Sequence, residues 1–256
     1  MSDLKVRLIS GIIGLVLLIG LILIGGLPFK IALLLCSLIG LLELSNALKK
    51  IDIEVNIHVA ITGVLLLFAE LVYRNSISTS LYLVFYLVCF SFLILNKSFI
   101  ESTALLFSLI YIPVSFFTMG MIDNTVYIGL IFVIAFATDS FAYFVGSAIG
   151  KHKLAPAISP NKSVEVAIGG ILGSVALSFI YLKLFAEVEI IKVLALSIIG
   201  SIISQSGDLV ASRIKRTTGV KDFGKLIPGH GGIMDRFDSV IMLTPIIYVI
   251  YTHFIV

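Results

Sequence analysis

Four aspartates, Asp208, Asp222, Asp235 and Asp238, and six cationic side chains, Arg213, Lys215, Arg216, Lys221, Lys225 and Arg236, crowd into residues 204–239. Carboxylates are hard oxygen ligands for a cation such as Mg²⁺, while guanidinium and ammonium groups neutralise phosphate oxygens. Together they offer the chemistry of a metal-bound polyphosphate. On a helix, Ser201, Gln205, Asp208 and Ser212 would line one face, and Asp235 and Asp238 would share a face of another. Between them Gly219, Gly224, Gly229, Gly231 and Gly232 let the backbone approach a ligand closely. A merely solvated loop needs the basic residues, but neither four aspartates nor a Pro-Gly-His-Gly-Gly turn.

A second cluster lies upstream. Thr138, Asp139 and Ser140 sit inside an apolar run, where a carboxylate is expensive unless it faces a cavity, a cation or a partner. A helix-packing Asp held by hydrogen bonds is the plainer alternative. Lys151, His152, Lys153, Ser159 and Lys162 follow. They read as a basic loop entering a helix near Pro160, able to hold anionic oxygens with side chains and free helix N-terminal amides.

The remaining residues say what positions these groups. Of 256 residues, 59% are hydrophobic and 13% charged, and the mean hydropathy is +1.15. Such a balance excludes an ordinary soluble domain. Apolar runs of spanning length occupy residues 8–25, 27–44, 59–73, 81–95, 104–121, 126–148, 164–182, 190–206 and 239–254. The expected fold is all-α, a polytopic integral membrane protein with about nine transmembrane helices. It forms a single membrane domain over 1–256, with helices of little motif content over 1–125 and catalytic helices and loops over 126–256. The first run ends in no convincing small-residue cleavage site and is read as a retained helix. Pro113 is expected to kink the fifth run. Gly169, Gly170, Gly173 and Ser174 give the seventh a small-residue face for close packing.

The net charge is only +3, so the basic residues speak to topology and to a localised anion, not to nucleic acid. With the N-terminus in the cytoplasm, fourteen of the 18 Lys and Arg fall on that side, and only Lys30, Arg74, Lys183 and Lys192 fall opposite. Both motif-bearing loops then face the cytoplasm of a multi-pass protein of the cell membrane. Cys36 and Cys89 lie in apolar runs and are expected as free thiols. His58, His152 and His253 have no HExxH or paired-Cys context, so zinc is not indicated.

The run Ser212, Lys215, Arg216, Lys221, Asp222, Gly224, Pro228, His230, Gly231, Gly232, Asp235, Arg236 and Asp238 resembles the C-terminal motif of the phosphatidate cytidylyltransferases, also called CDP-diacylglycerol synthases. The likeness extends back through Gly207 and Asp208 to Thr138 with Asp139, Ala142 with Tyr143, the GKHKLAP-like turn and the Ser-Pro-x-Lys segment, covering roughly the C-terminal half. Three positions depart from the pattern. Val164 and Val166 stand where a bulky aromatic residue and a glycine are expected, and Ala211 where a glutamate often follows Gly-Asp-Leu.

The resemblance implies a nucleotidyltransferase that joins CTP to phosphatidate in a lipid bilayer, making CDP-diacylglycerol and pyrophosphate. It implies Asp208, Asp235, Lys162, Lys221 and Arg236 as catalytic residues, and Ser159, Lys151, Lys215, Arg216, His230, Gly231 and Gly232 as substrate-binding residues. Asp208, Asp235, Asp139 and Asp238 would hold Mg²⁺, with a second cation such as K⁺, and the enzyme would be a homodimer. Two rivals remain open. A CTP-dependent polyprenol or dolichol-type lipid kinase would transfer the γ-phosphate, and a cation-coupled transporter would use Asp139 and Asp208 as carriers. The PGHGG-x-x-DR-x-D run favours the cytidylyltransferase.

Overall fold

Long apolar runs become helices because a helix satisfies its own backbone N–H and C=O groups without water. The computed structural model describes residues 3–73, 77–94, 98–149, 152–155, 159–186 and 189–255. Its helices are α1 (Asp3–Ile24), α2 (Gly26–Leu48), α3 (Ile57–Tyr73), α4 (Ile77–Ile94), α5 (Phe99–Met121), α6 (Val126–Ile149), α7 (Val164–Phe185), α8 (Ile190–Thr218) and α9 (Met234–Ile250). The all-α class stands, and each expected run holds a helix. Among the described residues seven helices are long and apolar enough to cross a membrane, while α3, at 17 residues, is a shorter apolar helix.

Several ends differ from the hydropathy reading, each for a local reason. Helix α5 starts before residue 104 because Ser98 and Glu101 form a capping box: Ser98 Oγ accepts the Glu101 N–H at 3.2 Å, and Glu101 Oε2 accepts the Ser98 N–H at 3.0 Å. Helix α8 runs well past residue 206 to Thr218. Its last turn carries Lys215 and Arg216, which complement the negative end of the helix dipole. Gly219, at φ +70°, stops it. Pro113 lacks an N–H and crowds the carbonyl four residues back, and α5 absorbs the misfit as a π turn over Ile110–Val114.

The loop before α7 corrects an expectation. Instead of entering a helix near Pro160, the chain forms β1 (Lys153–Ala155) and β2 (Ser159–Ser163), an antiparallel pair with Lys153 opposite Ser163 and Ala155 opposite Ser159. Proline disfavours helical geometry in the residue before it and cannot donate a hydrogen bond. The helix therefore begins only after Ser163, whose hydroxyl accepts the Val166 N–H at 3.3 Å.

The chain divides into two compact units, Met1–Asn124 with Thr217–Phe237, and Thr125–Arg216 with Asp238–Val256. In the first, Leu41, Leu44, Leu67, Leu71, Leu109, Ile112 and Phe117 form a closed apolar core. In the second, Leu130, Ile131 and Ile134 of α6 are buried with Leu196 of α8 and Leu243 and Ile247 of α9. There the glycine face of α7 meets α6 at backbone distance. A Cβ at Gly170 would lie 3.0 Å from the Thr138 carbonyl oxygen, and one at Gly173 would overlap Phe141. Gly173→Val should therefore lower stability by about 1–3 kcal/mol through overpacking, visible as a fall in melting temperature in detergent. An unchanged melting temperature would mean that α6 and α7 are not so close.

Candidate functional site

In the second unit a ladder of short polar side chains ties three helices together. Thr138 Oγ1 on α6 donates to Ser201 Oγ on α8 at 2.8 Å, with both residues fully buried. One turn on, Gln205 Nε2 reaches Ser201 Oγ at 3.4 Å and donates to the Ala167 carbonyl on α7 at 3.2 Å. The face expected of α8 is therefore real: Ser201 and Gln205 point inward, while Asp208 and Ser212 continue it half-buried.

The candidate chemistry hangs on this ladder. Lys162, brought in by β2, pairs with the Asp208 carboxylate and donates to the Gln205 carbonyl at 3.5 Å. Asp139 follows Thr138 and lines a cavity of about 270 Å³. Asp139, Lys162 and Gln205 make its polar wall, and Ala142, Tyr143 and Val166 its apolar wall. Asp238, near the start of α9, has Asp208, Asp139 and Lys215 as charged neighbours. Gly207 permits that approach, since a Cβ there would fall 2.6 Å from the Asp238 carbonyl oxygen. A cavity lined by acid, ammonium and amide together with apolar side chains suits an amphipathic phosphate ester. Val166, one of the positions departing from the expected pattern, lies in its wall.

Ser159 is half-buried on β2, Arg216 is exposed on α8, and Lys151 lies outside the described residues. Among the described residues no group of three or more His, Cys, Asp or Glu side chains is arranged to hold a metal ion alone. Asp139 and Asp208 are charged neighbours of Asp238, and the usual ligands of Mg²⁺ are one or two carboxylates together with water and substrate phosphates.

The first unit carries the glycine-rich loop. Lys221 and Arg236 are exposed, and Phe223 is buried. The turn closes through Ile227 N–H to Gly231 O at 2.8 Å and His230 N–H to Ile227 O at 2.9 Å, with Gly229 at φ +74° and Gly231 at φ +85°. Ser10 Oγ on α1 lies 2.9 Å from both Pro228 O and His230 Nδ1. Asp235 is buried, and its Oδ2 accepts the Phe223 N–H at 2.8 Å and the Gly232 N–H at 2.9 Å. This carboxylate folds the loop, whatever else it does.

Two residues here escape a motif-based reading. Ser10 is an ordinary serine in an apolar helix and gives no signal. Glu43 on α2 accepts the Ile233 N–H at 3.0 Å and the Met234 N–H at 2.9 Å. It did give a signal, being the one acid in the apolar run 27–44, and an ionisable residue there is a functional candidate by default.

Residues 5–254 match the model of a cytidylyltransferase family. The chain is 35% identical to the phosphatidate cytidylyltransferase of Bacillus subtilis (strain 168) over 269 residues, covering 99% of this chain and 100% of that protein. It is 35% identical to the phosphatidate cytidylyltransferase of Staphylococcus haemolyticus (strain JCSC1435), covering 96% and 98%. It is 34% identical to that of Staphylococcus aureus (strain COL), again covering 96% and 98%.

The ladder makes a quantitative prediction. Thr138→Val keeps the shape but removes the donor, and Ser201→Ala removes the acceptor. Each should cost about 1 kcal/mol, and the double mutant should reveal a coupling of about 0.5–1.5 kcal/mol. Unfolding in detergent measures both, and strict additivity would show that the hydroxyls do not bond.

Proposed function

The chain belongs to the cytidylyltransferase family, and on that premise we propose that it is a CTP:phosphatidate cytidylyltransferase, making CDP-diacylglycerol and pyrophosphate. The observation that carries this reading is near-full-length similarity to relatives bearing that activity in their names. The cavity supports it, with Lys162 and Asp139 beside an apolar wall fit for a lipid phosphate.

A phosphatidate phosphate is ionised at neutral pH, so no serine or cysteine nucleophile is required. One of its oxygens attacks the α-phosphorus of CTP, the new P–O bond forms, and the bond to the β-phosphate breaks, its electrons leaving with pyrophosphate. Two polyanions must be brought together for this, so catalysis consists of neutralisation and in-line positioning. Lys162 neutralises a phosphate oxygen at the cavity, and its pairing with Asp208 holds the ammonium there before substrate arrives. Lys215, Arg216 and Lys221 attract the polyphosphate, and Ser159 and Lys151 serve substrate binding near β2. Asp208, Asp139 and Asp238 would hold Mg²⁺, and Asp235 on the glycine-rich loop would serve as a further ligand. The metal, when bound, supplies positive charge for the α-phosphoryl oxygen and the leaving pyrophosphate. On the loop, His230, Gly231 and Gly232 shape the turn that leads to Arg236, which contacts phosphate.

We further infer a homodimer in the cell membrane, with the loops at 151–162 and 213–236 facing the cytoplasm where CTP is made. The asymmetry of Lys and Arg supports this orientation.

In purified protein with phosphatidate and Mg²⁺, label from α-labelled CTP should enter lipid, and γ-labelled CTP should yield labelled pyrophosphate. Lipid labelled by γ-labelled CTP would establish a lipid kinase instead. Asp208→Asn should reduce turnover about 100-fold or more at an unchanged folded fraction, the scale expected when a preorganised electrostatic group is lost. Orientation is checked with single cysteines at the exposed positions Lys153 and Lys225, after Cys36 and Cys89 are replaced. Both should resist an impermeant thiol reagent added to intact cells, and ready labelling would reverse the topology.

A further inference from the structure

Glu43 lies far upstream of every motif residue, in the C-terminal part of an apolar helix, yet it is only 7% exposed and its carboxylate faces the loop. Each of its oxygens takes one backbone donor: Oε1 the Ile233 N–H at 3.0 Å, and Oε2 the Met234 N–H at 2.9 Å. These amides belong to the entry of α9, whose first-turn N–H groups have no partner within the helix. Immediately before and after them in sequence, Gly232 N–H is held by Asp235 Oδ2, and Asp235 itself begins the catalytic run. Three successive amides are thus fixed by two carboxylates, one local and one from α2.

The motif glycines fit the same arrangement. Gly224 and Gly232 are not among the positive-φ glycines, so backbone conformation does not demand them. A Cβ at either position would overlap the Glu43 carboxylate. One turn earlier on α2, a Cβ at Gly40 would lie 3.6 Å from Met234 Cγ. Phe237 packs edge-on against Phe116 of α5, with ring centroids 5.3 Å apart. The start of α9 is therefore seated on α2 and α5 with Glu43 as its polar fastening.

We propose that Glu43 is a positioning residue for cytidylyl transfer, fastening the turn at 231–236 so that Asp235 and Arg236 are presented to CTP. The proposal rests on the cytidylyltransferase reading. Glutamate is needed because it has two acceptor oxygens for two donors. A glutamine keeps the shape but turns one acceptor into a donor facing an N–H.

Glu43→Gln is the test, with wild type assayed alongside. The variant should remain folded in detergent, its KM for CTP should rise about tenfold, and its KM for phosphatidate should stay within twofold. Hydrogen exchange at the amides of 232–234 should quicken by about tenfold or more. A merely structural role would lower the active fraction, and so kcat, and leave both KM values unchanged. An unchanged KM for CTP, a rise shared equally by both substrates, or unaltered exchange at 232–234 would each overturn the proposal. Should Glu43→Gln not yield folded protein, Gly224→Ala displaces the same carboxylate and is read the same way. A wild-type protein that moves no α-label into lipid would refute the cytidylyltransferase reading instead, while exchange at 232–234 would still decide whether Glu43 fastens the turn.

Discussion

A polar group buried among apolar helices has no water to fall back on, so its hydrogen-bond partner must come from the protein itself. In the second unit this requirement organises the site. Thr138, Ser201 and Gln205 satisfy one another across α6 and α8, with a carbonyl of α7 as the end point. Three of the candidate residues lie one step from that ladder. Asp139 is next to Thr138 in sequence, Asp208 is a turn beyond Gln205, and Lys162 donates to the Gln205 carbonyl. Helix packing and placement of the reactive groups are accordingly one problem with one solution.

Short hydroxyl side chains can bridge two helices only where the backbones come close, and this is the service of the glycines on α7 and α8. Gly170 lies against the Thr138 carbonyl and Gly207 against that of Asp238. The first unit meets the same demand with different parts. Its polar region is loop backbone, whose amides lack partners of their own, so it uses carboxylates as acceptors: Asp235 for Phe223 and Gly232, Glu43 for Ile233 and Met234. Serine and threonine join helices in one unit, and acids close a loop in the other.

How far all this could be read from sequence varies with the physics of each feature. Hydropathy locates apolar stretches, and all nine contain helices, but it senses the lipid-like part of a helix and not the helix itself. The polar end of α8 up to Thr218 therefore read as loop. Helical spacing placed Ser201, Gln205, Asp208 and Ser212 on one face correctly, since that rule needs no knowledge of the partner. The strands at 153–155 and 159–163 were missed because elements so short carry no periodic signal. The motif pointed to the family and to most candidate residues, whereas Glu43 lies outside it and signals only as a lone acid in an apolar run. Its partners are donors far along the chain, and no local pattern names them.

That separation bears on how the protein is made. The bonds from Glu43 span 190 and 191 residues. At translation rates of about 5–20 residues per second, α2 emerges about 10–40 s before the amides that complete it. For that interval the nascent N-terminal bundle carries an acid whose native partners have not been synthesised. A ribosome stalled anywhere before the last helix leaves Glu43 without these two donors. The native seat of Glu43 is thus completed only when the final segment is delivered.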